Sequence, residues 1–362
     1  VSRGPELPEA RGEVSAGVLE ALRAGANAGA WPDARAVNGA EPFGDDLQLA
    51  LYTLYELHYR GFDGVDDARE WDPAALRVRV AAEERFLAAL RAGTRERSAA
   101  TAPRTAVERS AAATALDAAL DALLVEPVGE APGSVSHFLR REGLRWQLRE
   151  YAAVRSVYHL KEADPHAWVL PRLTGRAKAA MVAIEFDEFG GGHAERAHAR
   201  LFAELMEDLG LDAGYGRQLD AAPAPALAVV NLMSLFGLRR ALRGALVGHF
   251  AAVEITSSPG SRRLAEALRR VGAGPAAERF YEEHVEADAV HEQLVRREVV
   301  AGLVEDAPEL AADVVFGIEA TGLVEDALAG HLLDAWRGGR SALRRPAPGA
   351  DRPGLTARAV VA

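Results

Sequence analysis

Apolar residues recur three and four positions apart through most of this chain, and that spacing limits its fold more than any other feature. DDLQLALYTLYELHYRGF, SHFLRREGLRWQLREYAAVRSVYHLKEA and AERAHARLFAELMEDLG all carry it. Side chains so spaced fall on one face of a helix. No segment gives the strict alternation of a half-buried strand, and no internal repeat is evident. The fold class expected is all-α, with helices packed into a bundle.

Glycine and proline divide the pattern. Residues 1–44 are rich in Gly, Pro, Ala and Glu and read as largely irregular, interrupted by the helical piece VLEALRAG. N-terminal helices are expected over 45–135, one of them opened by Asp72 as cap and Pro73 in its first turn. A low-complexity bridge falls near 94–112. A second bundle spans 136–340, and the tail 341–362 reads as disordered. Within the second bundle, LAVVNLMSLFGLRRALRGALVGHFAAVEI reads as one long buried helix over 226–255. A separate helix follows, with Ser258 as cap, Pro259 inside and Gly272 as stop. The next runs from about Pro275 to Leu303.

Composition excludes several kinds of chemistry. The chain has no cysteine, so thiolate metal sites, disulfides and cysteine nucleophiles are ruled out. A net charge of −11 without long basic runs speaks against a nucleic-acid partner. Neither terminus carries a run of about 18 apolar residues, so no membrane partner and a cytoplasmic location are expected.

Against this background FYEEHVEADAVHEQ, residues 280–293, is conspicuous. It places His284, Asp288 and His291 four and then three residues apart, on one helix face. A solvated acidic stripe with incidental histidines would look the same. A second cluster, IEFDEFGGGHAERAHARLF, puts Glu188 four residues after Ile184 on an apolar face, where a carboxylate is costly unless paired or metal-bound. Three glycines then let the chain bend before His198. Glu185, Asp187 and His193 read as surface groups or supports. A third cluster, SVYHLKEADPHAWVLPRL, offers Glu162 near a helix end. Carboxylates and imidazoles without thiolates suit iron or manganese. Two ferrous ions among three carboxylates would keep one positive charge, which could accept an anionic substrate or reduced dioxygen.

Glu162, Glu188 with His198 ten residues on, and the His-x-x-x-Asp-x-x-His of 284–291 resemble the haem-oxygenase-like diiron oxidases, the "iron-containing redox enzymes". The DEFGGG…HARLF context matches too, and the resemblance covers roughly residues 140–335. It implies a haem-oxygenase-like bundle, here with additional N-terminal helices. It also implies two irons per chain, ferrous before oxygen exposure, held by Glu162, Glu188, His198, His284, Asp288 and His291. The activity implied is dioxygen-dependent oxidation of a small organic substrate, by N-oxygenation of an amine or amino acid or by C–C cleavage of an amino or fatty acid. An external reductant and a homodimer remain open. On the apolar helix, His249, Glu254, Asn231 and Ser234 are candidates for the substrate pocket or for supporting the ligands. Asn231 and Ser234 could equally be buried polar groups satisfied by neighbours. The competing functions are a non-catalytic iron-binding interaction bundle and a mononuclear iron oxygenase using only the 284–291 triplet.

Overall fold

The computed structural model describes residues 4–24, 31–95, 106–126 and 131–347, and among them every regular element is helical. The N-terminal part holds α1 (Glu13–Arg23), α2 (Ala34–Gly39), α3 (Asp45–Glu56), α4 (Pro73–Arg95) and α5 (Ala106–Leu123). Next come α6 (Val135–Arg141), α7 (Arg145–His159), the single turn α8 (Asp164–Ala167), α9 (Gly175–Glu188) and α10 (His198–Asp208). The chain then forms α11 (Ala224–Leu238), α12 (Arg243–Arg270), α13 (Pro275–Leu294), α14 (Ala301–Asp306) and α15 (Ala311–Arg337). A π-helical turn, Val295–Val300, links α13 to α14; such turns recur beside functional sites.

Helix α12 packs against both α13 and α15, while α10 lies on α13 and α7. The α12–α15 contact is backbone on backbone. A Cβ on Gly248 would sit 2.0 Å from the Val314 carbonyl oxygen, and one on Gly317 would sit 2.0 Å from that of Ala245. Helix α11 is buried nearly throughout its length and joins the N-terminal α3 to α15.

Long-range contacts reset several expected boundaries. The apolar run 226–255 is two helices whose axes meet at 107°. Arg172 donates to the Gly237 carbonyl and, at 3.0 Å, to that of Leu238, satisfying the last carbonyls of α11. Arg239, outside the helix, pairs with Glu83 across the N-terminal helices. In contrast, α12 runs straight through Pro259, and Ser258 is not its cap. Packing on both sides of that proline outweighs the roughly 3 kcal/mol it costs inside a helix.

The described residues before 45 also hold more helix than their composition suggests, with α1 and α2 both there. The cap of α1 comes from Asp46, whose carboxylate accepts from the backbone N–H groups of Val14 (2.9 Å) and Ser15 (2.7 Å). Helix α5 starts at Ala106, inside the expected bridge, and residues 96–105 lie outside the described residues. The start of the tail is pinned as well. Ser341 and the Ala342 N–H both donate to the Glu150 carboxylate, at 2.5 and 2.9 Å. Residues 348–362 lie outside the described part.

The backbone contact of α12 with α15 makes a sharp prediction. Gly317→Ala should destabilise the protein by at least the roughly 1–3 kcal/mol of an overpacked core. Gly330→Ala, on the same helix with no atom within 4 Å of the new methyl, should be neutral or stabilising by up to about 1 kcal/mol. Chemical denaturation of the two variants side by side measures the difference.

Candidate metal centre

Seven side chains from five places in the chain converge inside this frame. Glu162 stands in the turn between α7 and α8, Glu188 ends α9 and His198 begins α10. Glu254 comes from the middle of α12, and His284, Asp288 and His291 come from one face of α13. All seven are buried. They form two groups, each with ligand atoms within 4.8 Å of one another: Glu162, Glu188, His198 and His284 in one, Glu188, Glu254, Asp288 and His291 in the other. Glu188 belongs to both.

Local chemistry explains how Glu188 and His198 meet. Gly190, Gly191 and Gly192 all have positive φ (81°, 63° and 85°), a region that suits glycine. At Gly190 a side chain would also run into the His193 carbonyl oxygen at 2.3 Å and the Ala197 nitrogen at 2.5 Å. The tight loop so formed returns the chain, and His198 Nδ1 lies 2.8 Å from Glu188 Oε2.

That close pair is not hydrogen-bonded: His198 Nδ1 is buried without a hydrogen-bond partner, as are Glu162 Oε2, His284 Nε2 and Asp288 Oδ2. Leaving such atoms unsatisfied costs on the order of 1–3 kcal/mol each. Three of them belong to the first group and Asp288 to the second; unsatisfied ligand atoms so grouped are the arrangement metal ions satisfy, and the mix of carboxylate oxygen and imidazole nitrogen suits iron. The residues present therefore fit the metal that the sequence pattern implies.

Neighbouring groups aim the ligands. The His284 Nδ1–H donates to the Phe280 carbonyl at 2.7 Å, which leaves the Nε2 lone pair for the site. His291 Nε2 lies 3.4 Å from Asp187 Oδ2, so its Nδ1 faces inward, 3.1 Å from Glu254 Oε2. His159, packed against Phe202 and Phe280, holds Glu162 Oε1 at 2.9 Å. The segment carrying Glu162 is also clamped from the N-terminal side. Lys161 is buried and pairs with buried Glu56 at 2.8 Å, over the rings of Tyr52 and Tyr59. Tyr215 donates to the other oxygen of Glu56 at 2.6 Å, and Arg60 donates to the Leu160 carbonyl at 3.2 Å.

The electrostatics reflect crowded acids. Burial alone would depress His284, but the Glu162 carboxylate 3.8 Å from its Nε2, with Asp288 and Glu188, pushes it up to about 10. Against the same burial, Asp288 and Glu254 push His291 up to about 11. Burial, backed by Asp288 and Glu188, raises Glu254 in spite of its bond to His291.

The expected ligands thus come together, and the structure adds to them. Glu254 stands within the second group rather than behind it; the signal was a carboxylate placed on an otherwise apolar helix. With it the two groups together hold four carboxylates, one more than the sequence pattern counted. The 284–291 triplet is divided, with His284 in one group and Asp288 and His291 in the other, so it does not form one mononuclear site. Asn231 and Ser234 are away from the pocket. Asn231 donates to the Gln48 backbone and side chain at 2.8 and 2.9 Å, and Ser234 pairs with Tyr59 at 3.0 Å, tying α11 to the N-terminal helices. His249 is one layer back, bonded to His166 at 3.1 Å. Glu185 is not a surface group: it is buried, and burial with the charges of Glu188 and Glu254 raises it well above an ordinary carboxyl. Asp187 and His193 are exposed.

A cavity of about 460 Å³ opens onto Glu162, Glu188, Glu254, His284 and Asp288. Its other walls include Tyr151, Tyr158, Tyr281 and His166. Arg155 also lines it, fixed by a two-pronged bond to Glu325 at 2.7 and 2.6 Å. Nothing in local spacing announced this pair, because α7 and α15 meet only in the fold.

A helical bundle with buried carboxylate and imidazole groups beside a cavity is the frame of a metal-dependent redox enzyme. Residues 149–326 match the family model described as "Iron-containing redox enzyme". It is also similar to a nitrosourea synthase of Streptomyces achromogenes subsp. streptozoticus, with 26% identity over 161 residues. The similarity covers 44% of this chain and 34% of that protein.

Two predictions follow from the geometry. Glu188→Ala should abolish metal uptake by both groups and Glu162→Ala by the first only, read by anaerobic ferrous titration with elemental analysis. The second concerns pH. Histidines held above their ordinary value of about 6.5 contribute fully to the stability of the metal-free protein below that pH, and the contribution is lost as pH rises through about 10 for His284 and 11 for His291. Metal ligation needs these rings neutral. Ferrous affinity should therefore increase between about pH 6 and 8, with protons released on uptake, measurable in a pH-stat.

Proposed function

We propose that the protein is a non-haem diiron oxygenase that transfers oxygen to the nitrogen of a small amine. The observation that carries this reading is the sharing of Glu188 between two buried ligand groups beside a cavity. A carboxylate common to both groups can bridge two metals, as in other carboxylate-rich helical bundles. The choice of nitrogen rests on the similarity to a nitrosourea synthase, since a nitrosourea carries oxygen on nitrogen.

Ferrous iron in the two groups would supply the electrons and open coordination positions for reducing dioxygen. The chain's own residues do the rest. Glu188 fixes the spacing of the groups, while Asp187 and the Phe280 carbonyl hold His291 and His284 in the ligating orientation. With four carboxylates the loaded centre is close to neutral, so a basic amine meets no repulsion there. Tyr158 and Tyr281 line the cavity with aromatic rings, groups that attract a cationic amine. An external reductant would be needed to restore the ferrous state after turnover.

The test is anaerobic ferrous loading followed by ¹⁸O-labelled dioxygen with panels of amines, amino acids and fatty acids. The expected outcome is oxygen uptake that depends on an amine, with label in an N-oxygenated product. Label only in carbon products, or uptake indifferent to every amine, would overturn the proposal.

A further inference from the structure

Two buried histidines outside the ligand groups have their tautomers fixed by a chain of hydrogen bonds. The Thr321 hydroxyl donates to the Gly317 carbonyl at 2.7 Å, which commits its only proton. Thr321 can therefore only accept from His249 Nδ1, 2.9 Å away, so that nitrogen carries the hydrogen. A neutral imidazole then has a bare lone pair on the other nitrogen, His249 Nε2. His166 Nε2 lies 3.1 Å from it and must be the donor. The remaining nitrogen, His166 Nδ1, is an acceptor. Both rings are buried, and burial depresses both below an ordinary histidine, in keeping with two neutral rings.

His166 is almost wholly buried yet lines the cavity, and Nδ1 is its nitrogen without a protein partner. The ring packs edge-on to Tyr158, with centroids 5.9 Å apart. The guanidinium groups that line the cavity are already engaged, Arg155 by Glu325 and Arg263 by Glu126 and Ser136. What His166 Nδ1 offers here is a lone pair, which calls for a hydrogen-bond donor, and a basic amine supplies one as its N–H.

We propose that His166 Nδ1 is the acceptor that receives the amine N–H of the substrate, and that His249, Thr321 and the Gly317 carbonyl act as positioning groups by fixing its tautomer. This rests on the reading of the cavity as an amine site and says which atom of the chain takes the amine.

The test uses the full chain with zinc as a diamagnetic substitute metal and ¹⁵N-labelled histidine rings, followed by long-range ¹H–¹⁵N NMR. Wild type should show His166 protonated on Nε2 and His249 on Nδ1. Butylamine should move the His166 Nδ1 resonance, while butyrate, which has no N–H, should leave it in place. Thr321→Val releases His249 from its tautomer and should weaken butylamine binding by up to about tenfold, the worth of one hydrogen bond; Thr321→Ser should restore it. A proton on His166 Nδ1 in wild type, butylamine failing to move that resonance at its highest usable concentration, or Thr321→Val binding butylamine as wild type does would each overturn the proposal. If Thr321→Val does not fold, the wild-type spectra decide alone. Amine binding at Nδ1 without N-oxygenation would sink the proposed reaction and leave this site standing. N-oxygenation with an unmoved His166 would do the reverse.

Discussion

Four carboxylates and three imidazoles packed inside a helical core are each deprived of water, and the acids repel one another unless positive charge lies among them. Protons on the histidines supply some of that charge in the metal-free protein, which is why burial fails to depress His284 and His291. Divalent cations would supply it better, because they also meet the lone pairs that no protein donor reaches. Much of the surrounding architecture serves to keep the seven groups converged in spite of this tension. Glu188 stands at its centre, held by the end of one helix and returned to His198 by a loop whose backbone favours glycine.

The N-terminal helices take part in this arrangement although the family match begins only at residue 149. Helix α3 sends Glu56 into the core to pair with Lys161, the residue before the candidate ligand Glu162. A buried ion pair is poor evidence for net stability, but separating its members is costly, so it fixes where two segments meet. Asn231 and Ser234 do comparable work, binding α11 to the same N-terminal helices. Polar residues on an apolar helix thus divide by destination. Those facing the N-terminal layer hold the frame together, whereas Glu254, on α12, stands in one of the two buried groups that could hold a metal.

The charge balance also bears on what the cavity can accept. With three carboxylates, a pair of ferrous ions would attract an anion; with Glu254 added, that attraction is gone. What remains near the centre is a set of lone pairs and aromatic rings, with the Arg155 guanidinium committed to Glu325 and that of Arg263 to Glu126 and Ser136. On the proposed reading these surroundings suit a donor-bearing, basic ligand, and they are built from residues that lie far from one another along the chain.

The sequence by itself determined that the protein is all-α and which side chains share a helix face. The repeat of apolar residues dictates the first, and His284, Asp288 and His291 could be grouped because their relation depends only on helical pitch. It also pointed to Glu188 and His198, since a glycine loop between a buried acid and a histidine is a local feature. Only the tertiary structure decided how those residues are divided: that the triplet serves two groups, that Glu188 is common to both, and that Glu254 belongs with them. The same holds for the cap that Asp46 lends to α1, the bend that Arg172 stabilises between α11 and α12, and the helix that passes through Pro259. Each depends on where one helix crosses another, and crossing geometry is set by packing between distant segments that local spacing does not encode.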